Sequence, residues 1–218
     1  KEINIINESI QKSNLSIKKR ISFISNEDEI INKIKTFGNI NSGFNITNDI
    51  IKKDEDKIMI SDWIKPNTDL DFKLLYKVSR DGDRISTFIE KVAGKSPTLI
   101  IIHSKSGYTF GGFTSVEWNM KGSYSNKKDE KAFIFSIDKR KKYKLKLNRA
   151  DVAIYGDPQH FAFGGGHDLT VWDNCTSNNN SKDYRYNNTY EMLEKYELTG
   201  GNNNFYVQDC EVYQVINY

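Results

Sequence analysis

The sequence predicts an α+β fold built on antiparallel sheets and preceded by a helical extension. Three observations carry this prediction. Between Asn48 and Val92 apolar residues recur at helical spacing, whereas from Pro97 onward the period falls to two. The connections in the strand-rich part are of hairpin length, so neighbouring strands run antiparallel. Ahead of both, Ile3, Ile10, Ile17, Ile24 and Ile31 recur every seven residues, as in one seam of a coiled coil.

The elements follow in order. In residues 1–45 the second seam position is poor, because Ser13, Arg20 and Glu27 occupy it. The extension therefore reads either as the end of an oligomerising coiled coil or as amphipathic helices. Glycines and asparagines between Thr36 and Thr47 mark a linker. Asn48 can cap a helix carrying Ile50, Ile51, Ile58 and Trp63, which Pro66 ends. Asp69 can cap a second, with Phe72, Leu75 and Tyr76 on one face, closed at Asp81-Gly82. Asp83 can cap a third, where Ile85, Phe88, Ile89 and Val92 share a face. Thr98 to His103 is a continuous apolar strand, which implies burial on both faces. Gly107 turns into a strand from Tyr108 to Phe113, and Phe133, Phe135 and Ile137 share a face of the next. Tyr143, Leu145 and Leu147 alternate with Lys142, Lys144 and Lys146. Val152 to Tyr155, Leu169 to Trp172 and Phe205 to Ile216 complete the strands, with a long surface loop expected over 173–188.

A chain of 218 residues suits one domain with an extension, here divided as 1–45 and 46–218. Beginning at Lys1, it reads as a piece of a longer protein. No apolar run approaches the roughly 18 residues of a transmembrane helix. A net charge of +3 is too small to argue for nucleic acid. Two cysteines outside any Cys-x-x-Cys pattern suit a reducing, cytoplasmic setting.

Few residues offer chemistry. The glycines around Gly107, Gly111 and Gly112 lack the Lys-Ser/Thr end of a phosphate loop and read as a tight hairpin where only Gly allows a positive φ or close backbone approach. The run Gly164-Gly165-Gly166-His167-Asp168 reads as a bend with capping side chains. His160, His167, Cys175 and Cys210 could supply zinc ligands or a thiol site, but their spacing matches no common zinc pattern. No cofactor is expected. Arg80, in Ser79-Arg80-Asp81-Gly82, can bridge to a strand carboxylate or hold a partner's anion. Lys139, Arg140, Lys141, Lys142, Lys144, Lys146 and Arg149 form the densest basic stretch, and alternation places three lysines on one solvent face. That face either protects an edge strand or docks an acidic surface.

Taken together, these segments resemble the TLDc domain family. The resemblance rests on Leu74-Leu75-Tyr76-Lys77-Val78-Ser79-Arg80-Asp81-Gly82, on Pro97-Thr98-Leu99-Ile100 with Gly107, Phe110-Gly111-Gly112-Phe113 and Trp118, and on Phe133 to Ile137. It continues through Phe161 to Leu169, with Gly164, Gly166 and Asp168, and ends on Phe205 to Val207 and Glu211-Val212-Tyr213. It implies a sandwich of two antiparallel sheets surrounded by helices, with no established catalytic apparatus. It also implies protein partners: subunits of the vacuolar proton-pumping ATPase, with a link to oxidative-stress resistance, or tubulin and axonemal proteins in a ciliary assembly. Localisation then follows the partner: cytoplasmic, ciliary or peripheral to acidic-organelle membranes. The alternative is a redox-active or hydrolytic domain using Cys175 or Cys210 with His160 or His167.

Overall fold

In the computed structural model, the residues described are 50–118, 125–184, 189–192 and 194–218. The heptad isoleucines and the Asn48 cap lie outside them. Among the described residues there are three α-helices, and twelve strands form two six-stranded antiparallel sheets, so the α+β sandwich expected from the sequence is the fold.

Helix α1 (Asp54–Ile64) starts at three consecutive acids, Asp54, Glu55 and Asp56, which suit the positive end of its dipole. Ile50 and Ile51 precede it instead of lying on it, and Ile51 is buried there. The segment expected as a second helix is strand β1 (Asp71–Lys77), paired with β12 (Val207–Ile216). A bulge between Leu74 and Tyr76 explains the misleading pattern. Phe72 and Leu74 pack on one side of the sheet, and the inserted residue turns Leu75 and Tyr76 to the other. One extra residue thus converts a period of two into an apparent period of four.

A single helical turn, α2 (Val78–Asp81), follows and ends at Gly82 with φ +86°. Helix α3 (Ile85–Val92) buries Ile85, Phe88 and Val92 as expected. Its cap comes from elsewhere: Asp173 Oδ1 accepts the Ile85 N–H at 2.7 Å, while Asp83 accepts from Thr176 N at 3.1 Å and Thr176 Oγ1 at 2.5 Å.

The first sheet runs β1-β12-β2-β3-β5-β6, with β2 at Thr98–Ser104, β3 at Thr109–Thr114, β5 at Phe133–Ser136 and β6 at Lys141–Lys144. The second runs β11-β10-β9-β8-β7-β4, with β4 at Ser125–Lys127, β7 at Ile154–Gly156, β8 at His160–Phe163, β9 at Leu169–Trp172, β10 at Ser181–Asp183 and β11 at Asn204–Phe205. Strand β10 and buried Cys175 lie in the stretch expected as a surface loop.

The first sheet is covered on both faces, which accounts for the unbroken apolar run of β2. Ile100, Ile102, Phe110, Ile134 and Tyr143 join Phe161, Phe163, Leu169 and Val171 of the second sheet in the inter-sheet core. Leu99, Ile101, Phe113, Phe133 and Phe135 face a second cluster with Ile60 of α1. The glycine pair in β3 makes room for aromatic rings. A Cβ on Gly112 would lie 2.5 Å from the Phe163 ring, and one on Gly111 would run into the Ile100 carbonyl. Trp118 is wedged among Phe88, Phe161 and Phe163, with its Nε1 donating to Thr98 Oγ1 at 3.0 Å.

Candidate functional site

The residues singled out from the sequence as able to carry chemistry fall into four places. In the Ser79–Gly82 turn, Ser79 N and Oγ donate to Asp209 on β12 at 3.0 and 2.7 Å. Asp81 accepts the Lys77 N–H at 2.9 Å and a fork from Arg80 at 3.0 and 2.7 Å. Arg80 hydrogen-bonding holds the Asp81 carboxyl below its ordinary range. A third bond from Arg80 reaches the Leu75 carbonyl at 3.1 Å. The strand carboxylate expected to meet Arg80 is met by Ser79 instead. Beside it, buried Glu211 pairs with Lys77 at 3.1 Å and accepts from Tyr213 at 3.0 Å.

The glycine-histidine turn is braced from within and also borders a concavity of about 560 Å³ lined by Gly165, Gly166, His167, Trp172, Lys182, Tyr184 and Asn203. Gly164 has φ +88°, and a Cβ there would collide with the Asp168 carboxylate. That carboxylate, fully buried, accepts the Thr189 N–H at 3.0 Å and is pushed up to about 6 by burial. His167 turns away from Asp168, so the two form no dyad. Its ring lies 4.8 Å from that of His160, which stacks on Trp172 at 4.3 Å. Asp157 Oδ1 is 3.1 Å from His160 Nδ1. Burial nevertheless pushes His160 down to about 4.

A pH dependence follows. A histidine held neutral in the fold protonates more readily when unfolded, so its contribution is complete above about pH 6.5 and is lost as pH falls toward 4. Asp168 and Asp183, both raised to about 6, act in the opposite sense. Between pH 7 and pH 4.5, His160→Phe is expected to lose less stability than the parent, by up to about 2 kcal/mol. Parallel urea titrations at the two pH values measure the difference.

The cysteines do not join the histidines. Cys175 and Cys210 are both buried in the inter-sheet core, and burial pushes Cys175 up to about 12 and Cys210 well above its ordinary value. Burial thus disfavours in both the thiolate that redox or nucleophilic chemistry uses. Among the described residues, no group of three or more His, Cys, Asp and Glu side chains is placed to hold a metal ion.

The basic stretch is the fourth place, and the structure divides it. Arg140 bonds Asp56 of α1 at 2.8 Å, and Lys141 bonds Glu197 at 2.8 Å. Lys139 is exposed beyond β5. Lys142 and Lys144 share a face opposite buried Tyr143, as alternation required. It is not an open solvent face, however, because Lys142 is half-buried over the Phe133 ring and donates to the Trp63 carbonyl at the end of α1 at 2.5 Å. The β6 edge is covered by chain, not guarded by charge alone: Glu191 N donates to the Lys144 carbonyl and Lys146 N to that of Thr189, both at 2.9 Å. Regular pairing stops at Lys144, and Leu147 is 89 % exposed.

A groove of about 600 Å³ lies where α1 ends against β5 and β6. Trp63, Phe133 and Tyr218 form its aromatic walls, and Lys65 and Lys131 join Lys142 and Lys144 around it. Sequence reading missed Lys65 and Lys131 because both lie outside the basic stretch: the packing of α1 brings Lys65 beside it, and the pairing of β5 with β6 brings Lys131.

A protein-family comparison bears on this fold: the profile described as TLD, TLDc domain, matches residues 44–216. The chain belongs to the TLDc family. Among curated proteins it is similar to mTOR-associated protein MEAK7 of Mus musculus, 29 % identical over 83 residues, or 38 % of this chain and 18 % of the relative. The Xenopus laevis MEAK7 is 27 % identical over 106 residues, or 44 % of this chain and 22 % of the relative. The matched stretches of this TLDc chain thus span about a fifth of those relatives. Among its described residues, no helix is long and apolar enough to cross a membrane.

Proposed function

We propose that this TLDc chain is a non-catalytic protein-interaction module that binds the vacuolar proton-pumping ATPase and contributes to oxidative-stress resistance through that contact. The observation carrying the reading is where its motif side chains are spent. Ser79, Asp81, Gly112, Gly164 and Asp168 bond or pack within the scaffold. Such a scaffold presents loops and charged faces to a partner. The pump comes from the family resemblance, and the names of the MEAK7 relatives add mTOR as a second candidate.

The test is affinity capture of the full-length protein from its own cells, read by mass spectrometry. Recovery of the pump's stalk and head subunits is the expected result. Recovery of tubulin and axonemal proteins without the pump would favour a structural part in a cilium. Recovery of no protein partner would overturn the interaction reading.

The cysteines give an independent prediction. Cys175→Ser and Cys210→Ser each place a hydroxyl in an apolar core and are expected to cost about 1–3 kcal/mol. At a temperature where the variants remain folded, protection against peroxide is expected to be unchanged, as survival curves of complemented cells would show.

A further inference from the structure

We propose that the groove at the end of α1 docks an acidic peptide segment of a partner protein, with an apolar side chain inserted between its aromatic walls. The proposal rests on the interaction reading above and deepens it by assigning a site and a ligand chemistry.

Charge is the first argument. Four lysines line the groove, and Glu130 is its one acidic lining residue. Glu130 is turned to Lys128, 3.0 Å away. Among the described residues, Lys65, Lys131 and Lys144 make no ion pair. Aromatic faces hold two of these ammonium groups, with Lys65 Nζ at 5.8 Å and Lys131 Nζ at 4.9 Å from the Tyr218 ring centre. Lys142 Nζ lies 4.2 Å from the Phe133 centre. Burial and the neighbouring Lys144 both disfavour the Lys142 charge, so an incoming carboxylate would relieve it.

Shape is the second argument. A concavity walled by Trp63, Phe133 and Tyr218 accepts a single inserted side chain, with carboxylates on either side reaching the lysine rim. That combination of buried anchor and charged rim is how protein segments are held. A headgroup layer would meet the rim but leave the aromatic walls unfilled, which favours the peptide over a membrane.

The experiment uses the full chain and a fluorescein-labelled, glutamate-rich peptide with one central phenylalanine, followed by anisotropy. An unlabelled copy is followed by the emission of Trp63, with Trp63→Phe as the control. Saturable binding that weakens with salt is expected. Lys131→Glu with Lys144→Glu, both exposed positions, should weaken it about tenfold or more with no change in melting temperature. Lys91→Glu with Lys95→Glu makes the same charge change on and just after α3 and should leave binding intact.

Three results would overturn the proposal: no binding to the parent chain, equal weakening by both double variants, or binding to phosphatidylserine vesicles but not to the peptide. Cellular capture separates the two levels. If the parent and the Lys131/Lys144 variant recover the same partners while the peptide does not bind, the groove fails and the interaction reading stands. If the parent recovers none, that reading fails by itself.

Discussion

Valine at Gly112 is expected to prevent the domain from folding at physiological temperature. Gly112 lies in β3, centrally placed in the first sheet, and its missing side chain is filled by the Phe163 ring from the opposite sheet. Even an alanine Cβ would lie 2.5 Å from that ring, closer than unstrained carbon contacts allow. Phe163 is fully buried and has Trp118 at 5.5 Å, so it has little space to retreat into. Overpacking of this kind costs about 3 kcal/mol or more, a large share of the roughly 5–15 kcal/mol that holds a domain together. Gly112→Ala with Phe163→Leu tests the cause. Trimming the ring should return part of the loss, whereas a purely backbone effect would leave the two changes additive in urea denaturation. At Gly112 the reason for glycine is this close approach and not a positive φ, which is found at Gly164, at +88°.

The second large effect is expected at Lys77. Glu211 is fully buried in β12, and the Lys77 ammonium is 3.1 Å from Oε1. The same ammonium lies 3.7 Å from Asp209, which also holds Ser79. Removing one member of such a pair takes a close counter-ion away from a buried charge, at a cost of about 3–5 kcal/mol. Lys77→Met should therefore unfold at much lower urea than the parent at pH 7. Adding Glu211→Gln removes the stranded charge and should restore much of the loss. If Lys77→Met cost less than about 1 kcal/mol, the pair would be no more than a surface ion pair.

These two sites show what a linear sequence reveals. The strands of the core are legible from their apolar residues, β2 as a continuous run and β9 within the period of two. β1 is not, because its bulge moves Tyr76 to the opposite face and imitates a helix. Strand β10 was hidden in an asparagine- and serine-rich stretch, where Ser181 and Asp183 are buried by tertiary bonding that no local pattern reports. Asp183 accepts the Leu198 and Thr199 N–H groups at 2.8 and 3.1 Å, partners that lie 15 and 16 residues away. The cap on α3 was misassigned for the same reason: Asp83 is adjacent in sequence, but Asp173 is adjacent in space.

The candidate site was half legible. Lys142 and Lys144 stood out by alternation, and their shared face is real. Its character was not readable, because α1 covers Lys142 and carries Trp63 and Lys65 to the same place. Lys131 arrives from the start of β5, outside the basic stretch. The cysteines show the converse. Nothing local distinguishes a reactive thiol from an inert one, whereas burial of Cys175 and Cys210 does.

The central claim is that the interior of this TLDc domain is scaffold and its surface carries the function. One measurement tests it most directly: quantitative affinity capture from native cells by the parent chain and by Cys175→Ala with Cys210→Ala, at a temperature where both remain folded. The account predicts the same partners, pump subunits among them, in the same amounts. Loss of those partners, or of cellular protection, from the folded cysteine variant would contradict it and return the thiols to the centre of the mechanism.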